Sequence, residues 1–135
     1  MDFINEDILA GEILPVLLGY SPETVATARR FSDRYRVISH VFCDRIPLAA
    51  RISICMKFHV ISHRAGERLL LEALDDFVKR FERADVLLYL VPCTEYHANL
   101  VWRNREELER RFVIADRGEM QRVWFGEEEQ KEERK

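Results

Sequence analysis

The sequence predicts an α/β domain of three layers, with helices on both faces of an open, mostly parallel sheet of four to five strands. Two apolar runs, residues 14–19 and 85–91, carry that prediction because neither alternates apolar with polar residues. Each run leads through turn residues into a helical pattern, which is the order of a β-α-β unit. A strand without alternation must be covered on both faces. The two runs are therefore expected side by side and parallel at the centre of the sheet.

Composition is typical of one globular domain. With 135 residues, 47% of them hydrophobic and 33% charged, the chain is long enough to bury a core without disulfides or metals. No apolar run approaches the roughly 20 residues of a spanning helix. The amino terminus carries acids where a secretory signal carries bases, so the sequence predicts a cytoplasmic protein. A net charge of −3 with interspersed signs predicts neither nucleic acid nor membrane as a partner.

Cysteines and histidines give no sign of a metal site. Cys43, Cys55 and Cys93 are odd in number and widely spaced, which predicts reduced thiols rather than a disulfide framework or a zinc knuckle. The four histidines also lack ligand spacing. They are His40, His59, His63 and His97.

The first helix has the clearest start signal. Ser21 is a good N-cap, Pro22 suits the first helical position, and Glu23 complements the helix dipole. Its expected inward positions are Val25, Ala28, Phe31 and Tyr35. The β-branched and aromatic run 37–42 then predicts the second strand.

The rest of the domain follows the same alternation. Residues 43–56 leave a helical turn and an irregular crossover equally open, and 57–62 predicts a short third strand near an edge. A strong apolar stripe predicts a helix over 66–83. Thr94 is expected to cap a third helix that runs to about Arg111, with Leu100, Val101 and Leu108 inward, before a last strand at 112–115.

Both ends of the chain are expected to lie outside this domain. The predicted division is an extension at 1–13, an α/β domain at 14–116 and a charged tail or linker at 117–135. The extension has Phe3, Ile4, Ile8 and Leu9 at helical spacing, and it either caps the domain or packs against a second copy. The apolar segment 123–125 is either a docking surface or a turn folded back on the core.

Ligands of an open parallel sheet bind beyond the carboxyl ends of its strands. The loops expected there are 19–21, 43–45, 63–64 and 92–97. The first has one glycine, so no dinucleotide or Walker-type phosphate loop is present. Cys93 lies near a predicted helix start with His97 four residues on, which makes these two residues the catalytic candidates. A phosphatase loop is excluded because Asn99 stands where its arginine would be.

Four segments resemble one enzyme family. They are 15–19, the end of the first helix at 28–31, 88–93, and 104–108 followed by 112–114. Together they resemble the amino-terminal part of ATP-grasp proteins, in particular carboxylate-amine ligases of the carbamoyl-phosphate-synthase-like kind. The resemblance covers residues 14–116. Two features differ: Tyr20 stands where the family tends to have a small polar or acidic residue, and Thr94, Glu95 and Tyr96 replace a Gly-Asp-Gly sequence.

The resemblance implies a Rossmann-like preATP-grasp domain. Such ligases join a carboxylate to an amine through an acyl phosphate made with ATP and magnesium, and their later domains hold both cofactors. This chain would then hold neither, and an ATP-grasp domain would be its partner in cis or in trans. The resemblance also implies that two loops form the substrate side of the site. Their residues are Gly19, Tyr20 and Ser21 after the first strand and Cys93, Thr94, Glu95 and Tyr96 after the fourth.

Three functional hypotheses follow. The first is a non-catalytic, substrate-side domain of an ATP-dependent carboxylate-amine ligase. The second is a free-standing cytoplasmic module that binds a small anion or a protein as a homodimer. The third is a small cysteine-dependent enzyme that uses Cys93 and His97.

Overall fold

The computed structural model describes residues 13–47, 54–62, 66–81 and 86–114. The expectations for residues 1–12 and 115–135, for the loop at 63–64 and for most of the undecided segment, 48–53, lie outside the described residues. Within the described ranges, none of the helices has the length and apolar character needed to cross a membrane.

Strands and helices alternate along the described part of the chain. The strands are β1 (Ile13–Leu18), β2 (Ser39–Cys43), β3 (Met56–Val60), β4 (Leu87–Pro92) and β5 (Val113–Ile114). The helices are α1 (Pro22–Tyr35), α2 (Glu67–Arg80), α3 (Glu95–Arg103) and α4 (Arg105–Leu108).

The five strands form one sheet in the order β3-β2-β1-β4-β5, and every neighbouring pair is parallel. The two apolar runs are neighbours at its centre, where Val16 on β1 is opposite Leu90 on β4. β3 lies at an edge, as its weaker pattern predicts. The predicted α/β class is confirmed, and the arrangement is a Rossmann-like three-layer fold.

Helices cover both faces of β1, which explains why this strand has no alternation. Leu17 packs on the α1 side with Phe31, whereas Val16 and Leu18 pack on the opposite side with Phe77 and other residues of α2 and α3. All five side chains are almost completely buried. Truncating a buried leucine on either side of β1 to alanine lowers the free energy of unfolding by about 2–5 kcal/mol, because it leaves a cavity in that core.

The start of α1 matches the sequence signal. The Glu23 N–H donates to Ser21 Oγ (3.2 Å), and the Ser21 N–H donates to Thr24 Oγ1 (2.9 Å). Pro22 occupies the first helical position, where its missing N–H costs no helical hydrogen bond. Ser21 is therefore the N-cap, as predicted.

The predicted helix from Thr94 to Arg111 is wrong in its second half. Thr94 caps α3 as expected, but α3 ends at Arg103, and Asn104 separates it from the single turn of α4. The Asn104 amide donates to the Leu100 carbonyl (2.9 Å) and to Glu67 Oε2 (3.2 Å). An asparagine side chain that bonds to local backbone competes with helix continuation. The resulting bend still buries Leu100, Val101 and Leu108, as expected.

Candidate functional site

The strand order reverses between β1 and β4. From β1 the chain proceeds outward to β2 and β3, and it then returns to place β4 on the other side of β1. The loops that follow β1 and β4 consequently lead away in opposite directions and leave a crevice between them. This is the edge at which the sequence predicts a ligand site.

Backbone hydrogen bonds hold the two loops together. The Cys93 N–H donates to the Leu18 carbonyl (2.9 Å) and joins the ends of β4 and β1, while the Gly19 N–H donates to the Phe42 carbonyl (2.7 Å) and ties the same loop to β2. Ser21 Oγ, which also caps α1, donates to the Cys93 carbonyl (2.8 Å). One hydroxyl therefore both starts α1 and joins the two loops.

Gly19 is required at this junction for two reasons. Its φ of +91° lies in a region that side-chain-bearing residues rarely adopt. A Cβ built at Gly19 would also lie 2.6 Å from His97 Nδ1 and 2.6 Å from Thr94 Cγ2. The absence of a side chain is what lets the first turn of α3 pack directly against the end of β1.

His97 is buried in this first turn, at 2% exposure. Its Nδ1 lies 2.6 Å from Thr94 Oγ1, and its backbone N–H donates to the same oxygen (3.1 Å). Because a hydroxyl both donates and accepts, Thr94 is a suitable partner for either tautomer of the imidazole. Thr94 thus caps α3 and fixes the His97 ring.

A cavity of about 390 Å³ opens at this edge. Its walls come from the loops after β1, β2 and β4 and from the first turn of α3. The lining residues are Gly19, Tyr20, Cys43, Asp44, Arg45, Pro47, Thr94, Tyr96 and His97. Its volume falls within the range of small-molecule sites in proteins.

The predicted binding residues divide into two groups around this cavity. Gly19, Tyr20, Thr94 and Tyr96 line it. Ser21, Cys93 and Glu95 do not: Ser21 joins the loops, Cys93 is buried, and Glu95 is exposed on α3. The division depends on which side chains face the cavity, and sequence alone does not give it.

The two catalytic candidates occupy different environments. Cys93 belongs to the core on the α1 side, and its thiol donates to the Val91 carbonyl (3.7 Å). His97 lines the cavity and pairs with Thr94. Cys93 therefore lies in the core on the α1 side, whereas His97 lies in the cavity wall.

The β2 wall carries opposite charges on Asp44 and Arg45. Beside them, Cys43 Sγ donates to the Arg45 carbonyl (3.3 Å). Burial raises the pKa of the Cys43 thiol; the hydrogen bond to the Arg45 carbonyl lowers it by less, and the Asp44 charge raises it by a still smaller amount. A raised pKa makes this thiol a weaker source of thiolate than an ordinary cysteine. Pro47, which also lines the cavity, gave no functional signal in the sequence.

A histidine pair lies away from the cavity, on β2 and β3. His40 Nδ1 is 3.0 Å from His59 Nε2, and Phe77 of α2 packs against both rings. Desolvation, with positive charge on His59, Lys57 and Arg80, lowers the pKa of His40 from 6.5 to about 4. Sequence spacing missed this pair because the two residues are 19 positions apart. Only the pairing register of β2 and β3 shows that the two histidines lie on the same face of the sheet.

A second cavity of similar volume lies between α2 and the α4–β5 connection. Its apolar residues, including Leu74 and Phe112, are already almost completely buried. At its rim Asp75 Oδ1 is paired with Arg111 Nη1 (3.1 Å). None of its lining residues belongs to the loops that follow β1 and β4 at the strand-order reversal, so the cavity beside Gly19 is the stronger candidate.

Searches of protein-family models, curated proteins and solved structures returned no match to this chain. In the described ranges, no group of three or more histidine, cysteine, aspartate or glutamate side chains is placed to hold a metal ion. Any functional proposal must therefore depend on the geometry of the site itself.

Proposed function

We propose that the chain is a Rossmann-like preATP-grasp domain that forms the substrate-side wall of an ATP-dependent carboxylate-amine ligase in the cytoplasm. One observation carries the proposal. The two loops to which the family resemblance assigns substrate contact meet over a single cavity at the strand-order reversal, and Gly19, Tyr20, Thr94 and Tyr96 line it.

The positions of the resembling segments give further support. Residues 15–19 and 88–93 belong to neighbouring central strands, β1 and β4, and 112–114 contains the adjoining edge strand β5. The strand segments of this resemblance, though far apart along the chain, are therefore neighbours in the sheet.

The two departures from the family pattern fall on the cavity wall. Tyr20 and Tyr96 both line the cavity, where the family pattern has smaller residues. Tyr20 is additionally held against Phe58 of β3, with ring centroids 6.1 Å apart. We infer that these two phenols narrow the cavity and set which substrate fits it.

The proposed role of this chain is to bind and orient, not to transfer phosphate. ATP and magnesium would supply the acyl phosphate from an ATP-grasp domain, in cis or in trans. Within this chain, Arg45 offers a carboxylate partner, Asp44 offers an amine partner, and Thr94 with His97 holds the loop in place.

Native mass spectrometry of the endogenous, chromosomally tagged protein tests the proposal. We expect the sequence within a longer polypeptide, or in a stoichiometric complex with an ATP-grasp protein. That assembly should release phosphate from ATP when amine and carboxylate substrates are both supplied. A chain that occurs alone in its own cell, or that hydrolyses ATP as the isolated 135-residue protein, contradicts the proposal.

Two aromatic residues of α3 provide a matched pair of variants for that assembly. Tyr96→Ala removes a ring from the cavity wall, whereas Trp102→Ala removes an exposed ring that does not line the cavity. We expect Tyr96→Ala to raise the KM of the amine or carboxylate substrate about tenfold, as loss of one good contact would. Trp102→Ala should leave the KM unchanged. Equal effects would argue against this cavity as the substrate site.

A free-standing small-anion-binding homodimer is the second candidate. It is favoured by the placement of Arg45 and the first turn of α3 on the same cavity, since a guanidinium and a helix start both attract anions. Titrating the isolated chain with phosphate, sulfate and simple carboxylates, followed by NMR, tests it. Saturable shifts at Arg45 and Tyr96 that Arg45→Gln abolishes, in a protein of dimeric mass, would favour this candidate over the first.

A further inference from the structure

The amino edge of the sheet, opposite the cavity, exposes large apolar side chains on both sides of β1. Ile54 is 92% exposed, Ile38 49% and Leu87 38%. Leu87 is opposite Ile13, the first residue of β1. The Ser39 N–H donates to the Cys55 carbonyl (3.0 Å), which brings the starts of β2 and β3 together beside it. Single exposed apolar residues are ordinary, but three at one edge indicate a contact surface.

The same edge is rich in positive charge. Helices of a parallel sheet run opposite to the strands, so α1 and α2 end here. Among the described residues at the ends of these helices and at the start of β3, five cations accompany one acid, Asp33. The cations are Arg34, Arg36, Lys57, Lys79 and Arg80. Lys79 is partly neutralised by Asp75 (3.4 Å), whereas Lys57 and Arg80 both act on His40 as positive charges.

The chain supplies a segment of complementary chemistry at this position. Residues 1–12 lead directly into Ile13, at the centre of the edge, and contain four acids with no lysine or arginine. The acids are Asp2, Glu6, Asp7 and Glu12, and the large apolar residues beside Met1 are Phe3, Ile4, Ile8 and Leu9.

The attachment point places these residues within reach of the exposed surface. Leu9 is four residues from Ile13, a span of at most about 14 Å in an extended chain. Neighbouring strands are about 4.8 Å apart, so Leu87 and Ile38 lie roughly 5 Å to either side of β1 and Ile54 roughly 10 Å away. Apolar residues of the segment therefore reach all three exposed side chains without a long loop.

We propose that residues 1–12 bind the amino edge of their own domain. In this arrangement Ile8 and Leu9 cover the exposed side chains of Ile38, Ile54 and Leu87. The acids of the segment face Arg36, Lys57 and Arg80. A second copy is the less suitable occupant for two reasons. Two such edges would bring like charges together. A segment tethered next to its site also has an effective concentration in the millimolar range, which a separate molecule does not match.

Photo-crosslinking of the full chain tests this proposal. p-Benzoylphenylalanine replaces Phe3 in one sample and Leu9 in another, and each sample contains equal amounts of unlabelled and ¹⁵N-labelled protein. We expect cross-links to the peptides that contain Ile38, Ile54 or Leu87, and only within molecules of one isotope. Mixed-isotope cross-links would show that a second copy is the occupant. Cross-links to the carboxyl edge, or none above background, would also overturn the proposal.

Two substitutions, one just before β3 and one at its end, provide an independent measurement of protein stability. Ile54→Ser alters the proposed docking surface, and Val60→Ser alters an exposed residue at the other end of the strand, at 53% exposure. We expect Ile54→Ser to reduce the ratio of folded to unfolded protein about fivefold, because it removes a covered apolar side chain. Val60→Ser should change that ratio less than twofold. An Ile54→Ser variant as stable as the parent would contradict the docking.

Discussion

His97 and His40 are two histidines that the fold removes from water in different ways. His97 is buried, and its partner Thr94 is on the same turn of α3. His40 is half-buried, and its partner His59 is on the neighbouring strand. The Thr94 hydroxyl can donate to or accept from the His97 imidazole. His59, by contrast, is itself a titratable base and lies near the positive charges of Arg80 and Lys57. The carboxyl edge therefore gains a fixed polar junction, and the β2–β3 edge gains a contact that depends on pH.

The largest expected effect comes from breaking the junction around His97. In Gly19→Ala the new Cβ would collide with the His97 ring and Thr94 while the backbone kept a φ of +91°. We expect a loss of about 3 kcal/mol in the free energy of unfolding, as for other strained and overpacked sites. Urea denaturation measures it.

Gly66→Ala is the matched control for that variant. Gly66 has a similar φ of +83°, but a Cβ there would meet nothing within 4 Å. Its cost should be about 1 kcal/mol, from backbone conformation alone. Equal losses at the two glycines would show that the packing of His97 against β1 contributes nothing.

The second prediction uses pH to test the His40–His59 pair. The folded-state pKa of His40 is about 4, below its ordinary value of 6.5. Between pH 4 and pH 6.5 the unfolded chain binds more protons than the folded chain does. The free energy of unfolding is therefore greatest above pH 6.5 and falls as the pH decreases to 4. We expect His40 to account for about 2 kcal/mol of that fall, after allowance for screening by solvent.

His40→Phe should remove that part of the pH dependence while it keeps a ring against Phe77. The measurement is the free energy of unfolding at several pH values between 4 and 7, compared with the parent. The pKa of His59 is also lowered, by burial and by Arg80 and Lys57, so a smaller slope should remain. Parallel curves for parent and variant would contradict the assignment.

The third prediction separates the hydroxyl of Thr94 from its shape. Thr94→Val keeps the branched side chain but loses both the cap of α3 and the partner of His97 Nδ1. We expect a loss of about 1–2 kcal/mol on thermal or urea unfolding. Thr94→Ser keeps the hydroxyl and should recover most of the loss. If serine were no better than valine, the hydrogen bonds would not be the source of the stability.

The smallest effect is expected at the exposed contact between α2 and α3. Glu67 Oε1 accepts from Arg103 Nη2 (2.6 Å), and this bond, with that from Asn104, lowers the pKa of Glu67. Exposed ion pairs contribute little, so Glu67→Gln should cost about 0.5 kcal/mol and less at high salt. A loss as large as that in Thr94→Val would mean that this bridge, rather than packing, holds the helix layer.

Much of the fold follows from local chemistry. The unbroken apolar runs on β1 and β4 require two covered faces, and Ser21 and Thr94 each begin a helix because their hydroxyls satisfy its first free N–H groups. These signals act over a few residues, so the sequence shows them directly. The break at Asn104 was missed because its amide also bonds to Glu67, 37 positions away.

The sequence by itself determined the layer order, the central strands and the edge at which a ligand site should lie. The tertiary structure alone decided which side chains line that cavity, that Gly19 must lack a Cβ because of His97, and that His40 lies against His59. The physical reason is distance along the chain. Periodicity and capping are properties of neighbouring residues, whereas cavity walls and side-chain pairs depend on the register of strands far apart in sequence.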